Sequence, residues 1–588
     1  MAALVGLCAC GKTPEPTTAA AAGPAISALE AAASAVLAAT VTPEAAAAVA
    51  AGSVSGAAIA WRKPRSEAEV HAVFAEARQL GQPVFLYWGA AWCPACNQVK
   101  ATVFNRPDFI DKSRSFVPVY LDGDEPGAQK LGARFKVRGY PTTLLLRADG
   151  SEITRLPGEV DAQKYLQLLA LGLGGARPVK ESLALAQDQP ARLGAADWRL
   201  LAYYAWHSDE QQLVAQGQLA ATLERLALAC PNEQAEAGLR LLLKSRVARA
   251  QESAASASGR SGAAKPAPPA KIARAFGAGQ RAPHGDAALT EKLLGLLADD
   301  ALARQNADIV LHDASELTGQ LTAPGSGERE RLTSVWAATL DRFTADPRLS
   351  QGQRMDALVA RVALARLGLP EGAALSPVLQ EHVRRHSARA EREVASDTER
   401  QSVMPSAAHA LAEAGLLADA DRLLEAELLR SHSPYYAMLQ LAANARQRGD
   451  KPAALGWYER AYKASRGAAT RAQWGAGYVN ALLELTPADT ERIARAAASV
   501  LGELEGQPDV FYDRTARTLE RMSTRLVAWG NSGQSAAVLA RLREQRDRLC
   551  ASLPAGDTEH AACSALLPPA PAPRAPAARR AARSARSA

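Results

Sequence analysis

The sequence predicts an α/β domain over 57–172 followed by a larger all-α region of helical repeats over 176–565. Three observations lead there. Up to residue 172, apolar runs suited to buried strands alternate with helix-patterned segments, and one strand-to-helix junction carries two cysteines three positions apart. From 176 onward the helical pattern continues with no convincing strand. Beyond residue 400, similar residues recur 34 positions apart.

The α/β elements follow from local chemistry. A short strand is expected over 57–61. Ser66 with Glu69 three residues on forms a capping box, Val70, Val73, Phe74 and Ala77 make an apolar stripe, and Gly81 stops the helix. The continuous run over 83–88 reads as a central strand buried on both faces. A helix starting near Cys93 continues to Phe104. Strands are expected over 116–121, 143–147 and 153–156, with Asp149-Gly150 as a hairpin turn between the last two. Helices are expected over 128–135 and 162–171.

Trp92-Cys93-Pro94-Ala95-Cys96 carries the chemistry. Thiols at i and i+3 at the start of a helix can close a disulfide and reopen it. Zinc sites use the same spacing, but no second CxxC or CxxH pair completes four ligands, so metal is not expected. With Gly-Tyr-Pro-Thr at 139–142, the hairpin at Asp149-Gly150 and Gly158 before the last helix, this order resembles the thioredoxin superfamily. It looks most like the thioredoxin-like domains of bacterial envelope thiol-disulfide interchange proteins. The resemblance covers about a fifth of the chain. It implies that Cys93 is the nucleophile and Cys96 the resolving thiol, that the bond before Pro141 is cis, and that Trp92, Tyr140 and Pro141 meet the substrate. Exchange of this kind needs no metal or organic cofactor. Thioredoxin itself usually has a buried acid six residues before the first cysteine; here that position is Tyr87, which leaves Asp122 or Asp124 as acids the fold could bring near. Pro94-Ala95 lacks the histidine of strongly oxidising relatives, which favours reduction or exchange.

In the helical region, Gly415 and Gly449, Ala420 and Ala454, and Ala408 and Ala442 are each 34 apart. Leu441-Ala442, Gly449-Asp450, Ala454, Tyr458 and Ala461 resemble the small and large positions of tetratricopeptide repeats over 401–565, which implies a partner-binding surface. The stretch 176–400 reads as related helices, interrupted at 251–285 by a linker or long loop rich in Ser, Ala, Gly and Pro. Cys550 and Cys563 are a candidate structural disulfide, and Cys230 a buried or idle thiol. No transmembrane segment stands out.

At 588 residues the chain exceeds one core, and its 5% aromatic content favours helices over a large β protein. The net charge of +7 is concentrated in a tail at 568–588, where Arg574, Arg579, Arg580, Arg583 and Arg586 stand without an acid. The body is near neutral, and no nucleic-acid partner is expected. The tail either touches anionic lipid or keeps the protein soluble. Residues 1–10 resemble the end of a bacterial lipoprotein signal, with Leu7-Cys8-Ala9-Cys10 as its box and Cys10 as the lipidated residue; 11–56 is a low-complexity linker. The expectation is a thiol-disulfide oxidoreductase on the periplasmic side of the envelope, membrane-tethered through Cys10. It would act on protein thiols and disulfides, exchange electrons with a redox partner, and use its repeats to hold a partner. The alternatives are a non-catalytic adaptor with a thioredoxin-like recruiting module, and a cytoplasmic redox protein.

Overall fold

The computed structural model describes residues 58–569, except 138, 159–160, 210–211, 261–286, 371 and 531–532. The signal and linker expected over 1–56, most of the 251–285 segment and nearly all of the basic tail lie outside the described residues.

The α/β part is a four-stranded sheet with α-helices on both faces. Its strands are β1 (Val84–Gly89), β2 (Val117–Asp122), β3 (Thr142–Leu146) and β4 (Glu152–Leu156), in the order β2-β1-β3-β4. β1 pairs parallel with β2 and antiparallel with β3, and β3 pairs antiparallel with β4. The helices are α1 (Glu67–Leu80), α2 (Pro94–Val99), α3 (Pro107–Lys112), α4 (Ala128–Arg134) and α5 (Ala162–Leu173). All of β1 is buried. Its alternation sends Val84, Leu86 and Trp88 into one apolar cluster with α1 and α4, and Phe85 and Tyr87 into another with Phe104, Phe109, Phe116 and Tyr165.

Local signals set the helix ends. The Ser66 side chain accepts from the Glu69 amide, and Gly81 closes α1 at φ 63°. α2 passes into a π-helical turn over Lys100–Phe104, and Pro107 then opens α3, a helix the sequence reading did not single out.

Three expectations need correction. Of the strand expected over 57–61, the described residues 58–61 form none; Arg62 alone bridges to Val119, exchanging backbone bonds of 2.8 Å with Pro118 and Tyr120. Pro64, which has no N–H, then ends the pairing. Residues 251–260 are not a linker but the end of the helix Ala235–Arg260. Glu252 on it accepts from the Leu219 and Ala220 amides, so this stretch caps the start of the helix Leu219–Ala229. Nor does a break fall at 400, since the helix Asp397–Glu413 runs through it.

The helical region is a succession of packed helices. Tyr435–Gln447 and Lys451–Ala464 pack as a hairpin turned at Gly449, with Ala442, Ala445, Ala454 and Ala461 fully buried between them. Small side chains let the two backbones approach closely. Gly415 and Gly449 adopt φ of 81° and 78°, each just past a helix, so the 34-residue spacing marks the same turn twice. Among the described residues, no helix is long and apolar enough to cross a membrane. Cys550 and Cys563 are disulfide-bonded, with Cα atoms 5.7 Å apart, and tie the helix Gly533–Ala551 to Thr558–Ser564.

The α/β part and the helices share one core. The cluster on the α2 side of the sheet continues from Phe85 and Tyr165 through Trp198 and Leu241 to Tyr435, Trp474 and Leu567. Buried ions pin the seam. Arg155 of β4 donates to the carbonyls of Lys136 at 3.0 Å and of Ser208. Lys164 of α5 reaches Glu236 at 3.0 Å, and Tyr203 donates to the same carboxylate at 2.6 Å. Behind them, Arg240 grips Asp308 with two bonds of 2.9 and 2.7 Å. Burial opposes the Asp308 charge, but Arg240 and Lys244 hold its carboxyl well below the usual range. A charge buried this deeply is costly once its partner is gone. Arg240→Met should therefore lower unfolding free energy by roughly 3–5 kcal/mol in a urea titration. Arg331→Ala, at an exposed pair with Glu291, should change it little.

Candidate active site

The two motif cysteines stand where β1 hands over to α2. Cys93 is the N-cap of α2 and Pro94 its first residue, a position where a missing N–H costs nothing. The Cys93 Sγ accepts from the Cys96 amide at 3.1 Å, and the two residues are disulfide-bonded with Cα atoms 5.2 Å apart. Asn97, which sequence reasoning missed, holds this turn: its buried Nδ2 donates to the carbonyls of Ala91 at 2.8 Å and Cys93 at 3.0 Å. Nothing in its local pattern separates it from an ordinary helix-surface asparagine.

The Tyr140–Pro141 peptide bond is cis. Pro141 leads directly into β3, next to β1, which brings its loop to the end of the sheet that carries the cysteines. Tyr140 packs on Trp88 at 5.3 Å and meets Trp92 edge-on at 5.8 Å. Thus Trp92, Cys93, Cys96, Tyr140 and Pro141, far apart in sequence, are gathered at one end of the sheet. Cys550 and Cys563 belong to the helices Gly533–Ala551 and Thr558–Ser564, where they pair with each other rather than with the motif, and Cys10 lies outside the described residues. Cys230 is half-buried, and burial pushes its thiol up to about 11, which keeps it protonated.

Tyr87 stands six residues before Cys93, where thioredoxin usually has a buried acid. It is fully buried, and its hydroxyl donates to the Cys96 carbonyl at 3.4 Å. Burial, reinforced by Asp122, raises it well above the ordinary phenol value, so it stays neutral. Of the two candidate acids, Asp122 accepts from Tyr120 at 2.8 Å. Asp124 accepts from the Trp92 indole at 3.0 Å, from the Thr470 amide at 2.9 Å and from the Thr470 hydroxyl at 2.7 Å. Both are bound to groups other than the cysteines.

Side chains from the helical region complete the surroundings. The Trp92 ring meets Trp474 edge-on at 4.9 Å and stacks on Tyr436 at 6.2 Å. The Arg514 guanidinium lies 5.5 Å from the Trp92 ring and 4.8 Å from Tyr140. His432 Nε2 donates to the Ala91 carbonyl at 3.1 Å, and Gln401 donates to that of Trp92 at 3.5 Å. These residues sit more than 300 positions from the motif, and no local signal marks them.

Burial pushes Asp124 up to about 6, against the pull of the bonds from Thr470 and Trp92. The sign follows from linkage: the folded protein holds this proton more tightly than the unfolded chain, so the stabilisation from Asp124 grows as pH falls through 6. Compared with Asp124→Asn, the wild type should gain relative stability in urea titrations between about pH 7 and about pH 5. A flat difference would mean that no such shift exists.

Comparison with known proteins places these features. Residues 70–172 match the family model of a thioredoxin-like domain. A thiol:disulfide interchange protein DsbD of Pseudomonas fluorescens is 36% identical over 107 residues, 18% of each chain. DsbD 1 of Pseudomonas aeruginosa is 32% identical over 106 residues, 17% of this chain and 18% of the relative. DsbD of Klebsiella pneumoniae is 31% identical over 111 residues, again 18% of each. The chain thus spans less than a fifth of the length of the curated relatives it matches. Residues 70–172 therefore form a thioredoxin-like domain, joined here to a helical region that those matches do not cover.

Proposed function

We propose that this chain is a thiol-disulfide oxidoreductase that reduces or exchanges disulfides in proteins at Cys93 and Cys96. One observation carries the reading: Cys93 caps α2 with its sulfur on the Cys96 amide, at disulfide distance from Cys96 and in the domain whose cis proline is Pro141. An amide N–H aimed at sulfur stabilises the thiolate, which is the reactive form.

In the reducing direction the Cys93 thiolate attacks one sulfur of a substrate disulfide. A Cys93–substrate bond forms, and the other substrate sulfur leaves as thiolate. Cys96 loses its proton and attacks the Cys93 sulfur, the mixed disulfide breaks, and the second substrate sulfur leaves. Two electrons have passed to the substrate, and the enzyme holds the Cys93–Cys96 disulfide. A dithiol redox partner must then reduce it for another turnover. Trp92, Tyr140 and Pro141 frame the approach to sulfur. Tyr87, neutral at all ordinary pH, does not serve as the proton acceptor of Cys96, so that proton leaves through solvent or to the substrate thiolate released in the first step.

The envelope placement rests on the buried Cys550–Cys563 disulfide, which persists in an oxidising compartment, and on the lipoprotein-like box ending at Cys10. The tetratricopeptide-like helices would then hold a partner near Cys93. A second reading, a non-catalytic adaptor, is favoured by the burial of Cys93, which is only 4% exposed.

Purified full-length protein should reduce insulin with dithiothreitol as electron source, and Cys93→Ser should abolish the increment over dithiothreitol alone. Cys96→Ser should accumulate mixed disulfides with specific partners, recoverable by thiol-cleavable capture. Equal insulin reduction by wild type and Cys93→Ser, with partners binding equally well in the double variant, would establish the adaptor instead.

A further inference from the structure

The redox site is covered by the chain's own helices. Trp92 is 6% exposed, Cys93 4% and Cys96 0%. The groups that close over Trp92 and its neighbours come from several distant segments. The helix Asp397–Glu413 packs along α2. Its Gln401 and the nearby His432 take the backbone carbonyls of Trp92 and Ala91. Tyr436 and Trp474 enclose the Trp92 ring, and Arg514 spans from Trp92 to Tyr140. A protein disulfide would have to bring its backbone to the Pro141 loop and its sulfur into bonding distance of Cys93. The approach past Trp92 is filled by these groups, while Tyr140 and Pro141 stay half-buried.

The contact is built rather than incidental. Asp124 belongs to the α/β domain, yet it does for the helix Ala468–Leu485 what an N-cap side chain does. That helix has Gly467 at its N-cap, with no side chain to accept from the first turn. Asp124 accepts from the Thr470 amide and hydroxyl in its place. Gly467 adopts φ 85°, and a Cβ there would lie 2.5 Å from the Asp124 Cβ, so only glycine permits the approach. The same carboxylate accepts from the Trp92 indole, so one group joins the residue beside Cys93 to the helical region.

The seam also has features of a surface made to part. Gln129 and Thr515, which line a cleft beside Asp124, each have a buried oxygen without a protein partner, and the Trp474 indole N–H is likewise unpaired. Separation would return these groups to water, which offsets part of the cost of breaking the other contacts.

We propose that the surface formed by Gln401, His432, Tyr436, Thr470, Trp474 and Arg514 is a cap over the redox site, and that a protein disulfide reaches Cys93 only when this cap swings away from Trp92. The proposal rests on the thiol-disulfide reading above and adds to it that cap release, as well as thiol chemistry, selects which proteins react. A partner that binds the helical region and separates it from Asp124 would switch the site on.

The test reads accessibility, independently of activity. The reduced full-length protein is treated with N-ethylmaleimide and, separately, with a bulky polyethylene-glycol maleimide, and labelling at Cys93 is followed by peptide mass spectrometry. In the wild type the bulky reagent should lag far behind the small one. Trp474→Leu and Asp124→Ala should each speed the bulky reagent by roughly tenfold or more at Cys93 and close that gap. Circular dichroism and the urea midpoint check that each variant is folded, and Asp124→Ala carries the test if Trp474→Leu does not fold. Equal rates for both reagents in the wild type, or an unchanged gap in a folded variant, would overturn the cap. If the variants label faster but neither they nor the wild type reduce insulin, the cap stands and the enzymatic reading falls.

Discussion

Burial of β1 on both faces is the constraint from which the rest follows. A strand in that position can carry no free polar side chain, and its six residues are Val, Phe, Leu, Tyr, Trp and Gly. Its alternation divides the apolar content of the domain into two layers. One layer is closed by α1 and α4, and the other opens onto the helical region. The end of β1 fixes where Cys93 emerges, and its neighbour β3 fixes where the cis proline loop returns. The chemistry of the site is thus set by which strand is central. The accessibility of the site is set by what lies against the open layer.

The same constraint accounts for Tyr87. A carboxylate at that position would be surrounded by Phe104, Tyr120 and the sheet, and its charge would be expensive there. A tyrosine keeps a polar tip for the Cys96 carbonyl while its ring packs with its aromatic neighbours. The acids of this region lie at the end of β2 and in the following loop, where Asp122 and Asp124 find donors, and Asp124 bonds to the helical region.

What was legible in the sequence was local. The apolar run of β1, the Ser66 N-cap of α1, the Cys93–Cys96 spacing and the glycine at 449 are each encoded within a few residues, and each forms; of the expected capping box only the Ser66 half does, since Glu69 accepts from the Arg65 amide instead. The strand expected over 57–61 was misread because a short apolar stretch says nothing of its partner: in the register set by Arg62, the next bond would need an N–H from Pro118, which has none. The 251–260 segment was misread because its composition suits a linker, while Glu252 serves a helix thirty-odd residues upstream. The groups around Trp92 were not legible at all. Trp474 and Arg514 read as ordinary helix residues, and only the folded chain shows that they converge on one indole. The site's chemistry could be read from the pentapeptide taken with Gly-Tyr-Pro-Thr at 139–142 and the strand–helix order, but its enclosure depends on pairings that leave no pattern along the chain.

The Asp124–Thr470 contact also bears on how the protein is made. The helix Ala468–Leu485 lacks a cap of its own, and the carboxylate that supplies one lies 346 residues earlier. During synthesis the α/β domain leaves the ribosome first and can fold before that helix exists. The helix therefore meets a template that sets where its first turn begins, and later segments settle onto thiols that were made before them.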